Sequence, residues 1–144
     1  MSSNERGELS KKNPYYIPKY RYYELKYRCL QYKNWEQQYK EAVNFLATND
    51  VSKEKVDGGE RRDLVYEAYL KRSEYCHRID KLKHCIKSLP EYLQEPIFEA
   101  VTTGKGWQVI QAKYELVCPR DEYFKAYHYF FYIYSKSNYS VFLW

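Results

Sequence analysis

Cationic and phenolic side chains interleave along residues 11–40, where Lys19, Arg21, Lys26, Arg28 and Lys33 stand among Tyr20, Tyr22, Tyr23, Tyr27 and Tyr32. Ammonium and guanidinium groups neutralise phosphates, while phenol rings stack on bases or donate hydrogen bonds, so this pattern fits a polyanion-facing surface. The plainer alternative is a solvated basic face over an aromatic core. A second group, Arg120, Lys125, His128 and Tyr129 with Tyr132, recurs near the end of the sequence and is the candidate for contacts to base edges.

Other chemistry finds little support. Cys76-His77 and His84-Cys85 form a near-palindrome, but four such positions on one helix do not converge on a tetrahedral ion, and the usual zinc spacings are missing. No Ser/His/Asp constellation, phosphate-cradling glycine loop or paired-carboxylate motif stands out, and there are only three histidines. No catalytic residue, metal or cofactor is expected.

Charge is unevenly spread. The formal total is +5, with eight basic residues against two acids over residues 11–40 and eight against four over 61–90. Residues 91–122 reverse the balance, six acids to three bases, so a polyanion should meet the first two-thirds of the chain. Nineteen tyrosines, six phenylalanines and three tryptophans imply a core built largely of aromatic rings whose hydroxyls need partners at its margin. The four cysteines are widely spaced and the first residues are polar without an apolar run, so no secretory signal is expected and the thiols read as reduced. A cytoplasmic protein of a bacterial host without a membrane span is the expectation.

The elements that must carry these residues follow from periodicity and punctuation. Residues 1–13 show no period and read as a disordered tail; Pro14 and Pro18 mark the start of order. One long helix is predicted over Lys19–Ala47, with Leu25, Cys29, Tyr32, Tyr39, Val43 and Leu46 as its seam. A flexible connector covers 48–60, with Asn49-Asp50 and Asp57-Gly58-Gly59. A second helix over Arg61–Ser88 repeats the seam at Val65, Ala68, Tyr75, Ile79, Leu82 and Ile86, so residues 14–88 should form a basic helical hairpin. Three shorter helices are predicted within 89–136, at Glu91–Thr102, Trp107–Tyr114 and from Pro119 to Ser135. An apolar tail, 137–144, closes the chain. The expected fold is thus all-α, a long hairpin followed by a compact three-helix unit of helix-turn-helix layout.

Several motifs in this order resemble a known group. Ile17-Pro18-Lys19-Tyr20-Arg21-Tyr22-Tyr23-Glu24-Leu25-Lys26-Tyr27, Cys29-Leu30-Gln31-Tyr32, Ala100-Val101-Thr102-Thr103-Gly104 and Pro119-Arg120-Asp121-Glu122-Tyr123-Phe124 with Phe130-Phe131 are similar to phage late-gene regulators of the RinA/ArpU type. The resemblance implies a DNA-binding transcription activator with a C-terminal helix-turn-helix. One departure stands out: between the Arg-Asp start and the Phe-Phe pair this chain has Lys125-Ala126-Tyr127-His128-Tyr129, where that group carries several basic residues. Two functions are therefore expected. The first is a phage or mobile-element regulator holding double-stranded DNA through Lys19, Arg21, Lys26, Arg28 and Lys33, with readout from Arg120, Lys125, His128 and Tyr129. The alternative is a phage-derived inhibitor, such as an anti-CRISPR, that binds a CRISPR nuclease or its guide ribonucleoprotein on a repurposed scaffold. A homodimer along an exposed helical seam is compatible with either.

Overall fold

The computed structural model describes residues 13–49 and 58–137, and all but one residue of the expected N-terminal tail, most of the connector and all but one residue of the apolar tail lie outside these. Among the described residues the fold is all-α, with six helices and no strand. They are α1 (Lys19–Cys29), α2 (Tyr32–Thr48), α3 (Gly58–Ile86), α4 (Glu91–Thr103), α5 (Trp107–Tyr114) and α6 (Arg120–Lys136). No helix among them is long and apolar enough to cross a membrane.

Proline and glycine set most boundaries. Helices α1, α4 and α6 each begin directly after a proline, Pro18, Pro90 and Pro119, held at φ near −60° with an extended ψ. The ring supplies that φ without cost, and the proline carbonyl still accepts the first bond of the helix, as from Tyr22 to Pro18 at 2.9 Å. Helix α4 ends on Gly104, whose φ of +80° closes the helix through its N–H to Ala100 O at 2.9 Å. Helix α5 ends the same way on a residue less suited to it, Glu115 at φ 53°.

The long first helix predicted for Lys19–Ala47 is corrected to two. The chain turns at Leu30 and Gln31, where Gln31 N–H tightens to Arg28 O and Trp35 N–H restarts the ladder on Gln31 O. No helix breaker marks the place; the reason is tertiary. Helix α1 packs on α6 and α4, whereas α2 packs along α3, and one straight rod cannot serve both. The turn also moves the α2 seam by one position. Tyr32, Trp35 and Ala42 are buried, while the expected Tyr39, Val43 and Leu46 are only half-buried. Tyr32 lies within electrostatic reach of Asp80, and Ala42 and Phe45 share a groove with Leu64 and Ala68, so α2 and α3 run antiparallel.

The core is aromatic, as the composition requires. Helix α6 lies at its centre, burying Tyr123, Ala126, Tyr127, Phe130, Phe131 and Tyr134. Edge-on pairs such as Tyr22 with Phe131 (5.3 Å) and Tyr32 with Phe98 (5.1 Å) join α1 to α6 and α2 to α4. Lys81 on α3 is unexpected there: it is 4% exposed, with its ammonium 4.7 Å from the Tyr134 ring centre.

Candidate nucleic-acid interface

Helix periodicity divides the cations of α1 between two edges. Lys19 and Lys26 are seven residues apart and share one edge, Arg21 and Arg28 share the other, and the buried Tyr22, Leu25 and Cys29 lie between. The arginine edge is partnered within the chain. Arg21 donates to Glu24 at 2.6 Å, which holds that carboxyl below the usual range. Arg28 is half-buried beside Tyr134, Arg21 and Arg78; burial lowers its pKa, and Tyr134 and Glu24 counter the shift. Lys81 belongs to the same cluster, its pKa lowered first by burial and then by Arg28. Arg78, in turn, is paired with Glu74.

The lysine edge faces a different place. Lys26, its ammonium 5.9 Å from the Tyr22 ring centre, lines a cleft of about 650 Å3 between α1, the α4–α5 turn and the start of α6. Gly104, Lys105 and Gly106 of the α4–α5 turn line it together with Trp107, Gln108 and Val109 of α5 and Arg120, Tyr123, Phe124 and Tyr127 of α6. Arg120 rests its guanidinium 5.1 Å from the Phe124 ring centre. No carboxylate lines this cleft among the described residues. Lys26 and Arg120 have no ion-pair partner among those residues either, so their charge is directed at solvent and at whatever enters.

Lys105 is held in place by a neighbouring anchor. Glu99 of α4 accepts from Lys105 Nζ at 2.8 Å, from Lys113 Nζ at 2.7 Å and from the Tyr114 hydroxyl at 2.6 Å. These three donors depress its carboxyl to about 2 and tie α4, the turn and α5 into one unit. Leu30, directly after α1, also lines the cleft, and its side chain lies 3.4 Å from where a Cβ on Gly104 would stand.

The structure thus brings Lys26 and Arg120 together and separates the other sequence candidates. Lys19 is exposed at the start of α1, and Lys33 is exposed on α2. Lys125 and Tyr129 line a shallow apolar depression with Tyr15, Leu89, Pro90 and Leu93. His128 is half-buried against Tyr22 and Tyr127, and Tyr129 is covered edge-on by Tyr15 at 5.0 Å. Lys105, Trp107 and Gln108 are additions that sequence reasoning missed, having read Gly104-Lys105-Gly106 only as a turn.

No protein family, curated protein or solved structure matches this chain. The likeness to phage regulators therefore rests on the motifs quoted above. Among the described residues no three His, Cys, Asp or Glu side chains gather as a metal ion would require. Cys85 is buried, whereas Cys76 is half-buried and donates to Asp80 at 3.5 Å.

Proposed function

We propose that this protein is a nucleic-acid-binding regulator of a phage or mobile element, holding a sugar-phosphate backbone in the cleft between α1, the α4–α5 turn and α6. One observation carries the reading: Lys26 and Arg120 converge from two helices on a concavity lined by three cations and no acid among its described residues. Two cations on aromatic rings are only weakly compensated, so a phosphate entering the cleft gains their attraction without having to displace a carboxylate. The first turn of α5, which has no side-chain cap, also lines the cleft, and the dipole at a helix N-terminus favours negative charge.

The test is fluorescence anisotropy with labelled oligonucleotides at low salt. Wild-type protein is expected to bind, and Lys26→Glu and Arg120→Glu each to weaken binding at least tenfold with unchanged helicity. Full affinity in both variants would falsify the cleft as the contact.

A second reading, an inhibitor acting on a nuclease or its guide complex, draws support from α6. That helix is the centre of the core rather than a projecting recognition element, and α3 exposes Leu64, Tyr66, Tyr69 and Leu70. Apolar and phenolic side chains exposed along one helix suit a protein partner. Inhibition of a CRISPR nuclease that survives Lys26→Glu but is lost in Tyr66→Ala/Leu70→Ala is the result this reading requires.

A further inference from the structure

We infer that the cleft takes an unpaired nucleotide, so that the chain binds single strands in preference to duplex. The inference rests on the proposed function and sharpens its partner.

Reading a duplex through the major groove needs a helix that stands clear of its own fold. Helix α6 does not: its inner side is core, and its outer side is partly covered, with Tyr15 packed on Tyr129 at 5.0 Å and on Tyr132 at 5.2 Å. Lys26, Lys105 and Arg120 line instead a concavity. At about 650 Å3 the cleft falls within the roughly 300–1,000 Å3 that encloses a drug-sized ligand, which is the scale of one nucleotide and not of a double helix.

Its lining suits each part of that nucleotide. Lys26 and Arg120 line the cleft as cations for the phosphate, and Lys105, a third lining cation, is held by Glu99. Trp107 and Phe124, both half-buried, give aromatic surface for a base. Trp107 packs on the buried Tyr123, which also lines the cleft, 4.9 Å between ring centres, and that contact sets its orientation before a ligand arrives. Gln108 is exposed at the wall and offers both a donor and an acceptor to a base edge. Cations following a backbone, with rings for stacking, are what single-strand binding uses, and a base already unpaired enters without the cost of leaving a duplex.

The experiment compares an oligothymidylate, an oligouridylate and a mixed-sequence duplex, each longer than one site of about 4–16 nucleotides. All are titrated at one salt concentration against wild type, Trp107→Ala, Trp107→Phe and Gln108→Ala. A single strand is expected to bind at least about tenfold more tightly than duplex; Trp107→Ala should remove about that factor, and Trp107→Phe should retain it. The two single strands distinguish DNA from RNA as the source of the nucleotide. Should Trp107→Ala fail to fold, Gln108→Ala, at an exposed position, carries the test through a loss of affinity for single strands alone. Equal or tighter duplex binding, with neither Trp107→Ala nor Gln108→Ala selective against single strands, overturns the inference and leaves the backbone reading standing. Failure of wild type to bind any of the three overturns both.

Discussion

Lys26 on α1 and Arg120 in the first turn of α6 face the same cleft, each seated on an aromatic ring and neither on a carboxylate. Arg21, five residues before Lys26, points to the other edge and is bonded to Glu24. The two cations of α1 should therefore respond differently. Arg21→Ala is expected to leave nucleic-acid affinity within about twofold, since Arg21 is paired with Glu24 and does not line the cleft, whereas Lys26→Ala should weaken it several-fold. Anisotropy titrations of both variants side by side check the contrast, and a larger loss in Arg21→Ala places the contact on the wrong edge.

The two left-handed positions of the α4–α6 region should respond with opposite sign. Gly104 sits at φ +80°, where a Cβ is strained although its nearest neighbour, Leu30 at 3.4 Å, is an ordinary contact, so Gly104→Ala is expected to destabilise by about 1–2 kcal/mol. Glu115 holds φ 53° with a side chain, and Glu115→Gly should stabilise by about 0.5–1 kcal/mol. Urea denaturation of both variants provides the check, and an unstable Glu115→Gly contradicts the backbone argument.

Glu99 predicts an acid limb. Its folded carboxyl lies at about 2 against an ordinary 4.5, so across that interval the unfolded chain binds more protons than the folded one. The stabilisation is complete above about pH 4.5 and is lost as pH falls toward 2. Two of its partners are largely exposed lysines, which limits the gain, and Glu99→Gln is expected to cost roughly 1–2 kcal/mol at neutral pH. Thermal melts between pH 2 and 7 should show a shallower acid limb in Glu99→Gln than in wild type; identical limbs would show that the three-donor anchor contributes nothing.

The thiols report on the packing. Cys29 and Cys85 are buried, burial raising both above the usual thiol range, Cys85 to about 11, while Cys76 and Cys118 are half-buried. Maleimide labelling of native protein followed by peptide mapping should modify Cys118 and Cys76 well before Cys29 and Cys85. Early modification of Cys29 would mean that α1 does not dock on α6 as described.

Much of the helical layout could be read from the sequence because its punctuation is local. Proline before α1, α4 and α6 and glycine after α4 fix dihedral angles whatever surrounds them. The turn at Leu30-Gln31 could not be read, since neither residue breaks a helix and the apolar spacing continues through it; docking of α1 onto α6 and α4 decides it. The same limit applies to the site. Lys26 and Arg120 were recognisable as cations, but their convergence depends on that docking, and Lys105, Trp107 and Gln108 gain meaning only once α1 closes the cleft. Lys81 reads as a surface charge in sequence and is buried because α3 turns it toward Tyr134.

The salt dependence of binding tests the central claim most directly. Each phosphate contact contributes about 0.7 to the log–log slope for single strands and about 0.9 for duplex. Replacing both Lys26 and Arg120 with alanine should flatten the wild-type slope by about 1.4–1.8, while Arg21→Ala leaves it unchanged. A double variant with the wild-type slope would mean that no phosphate sits between those two side chains.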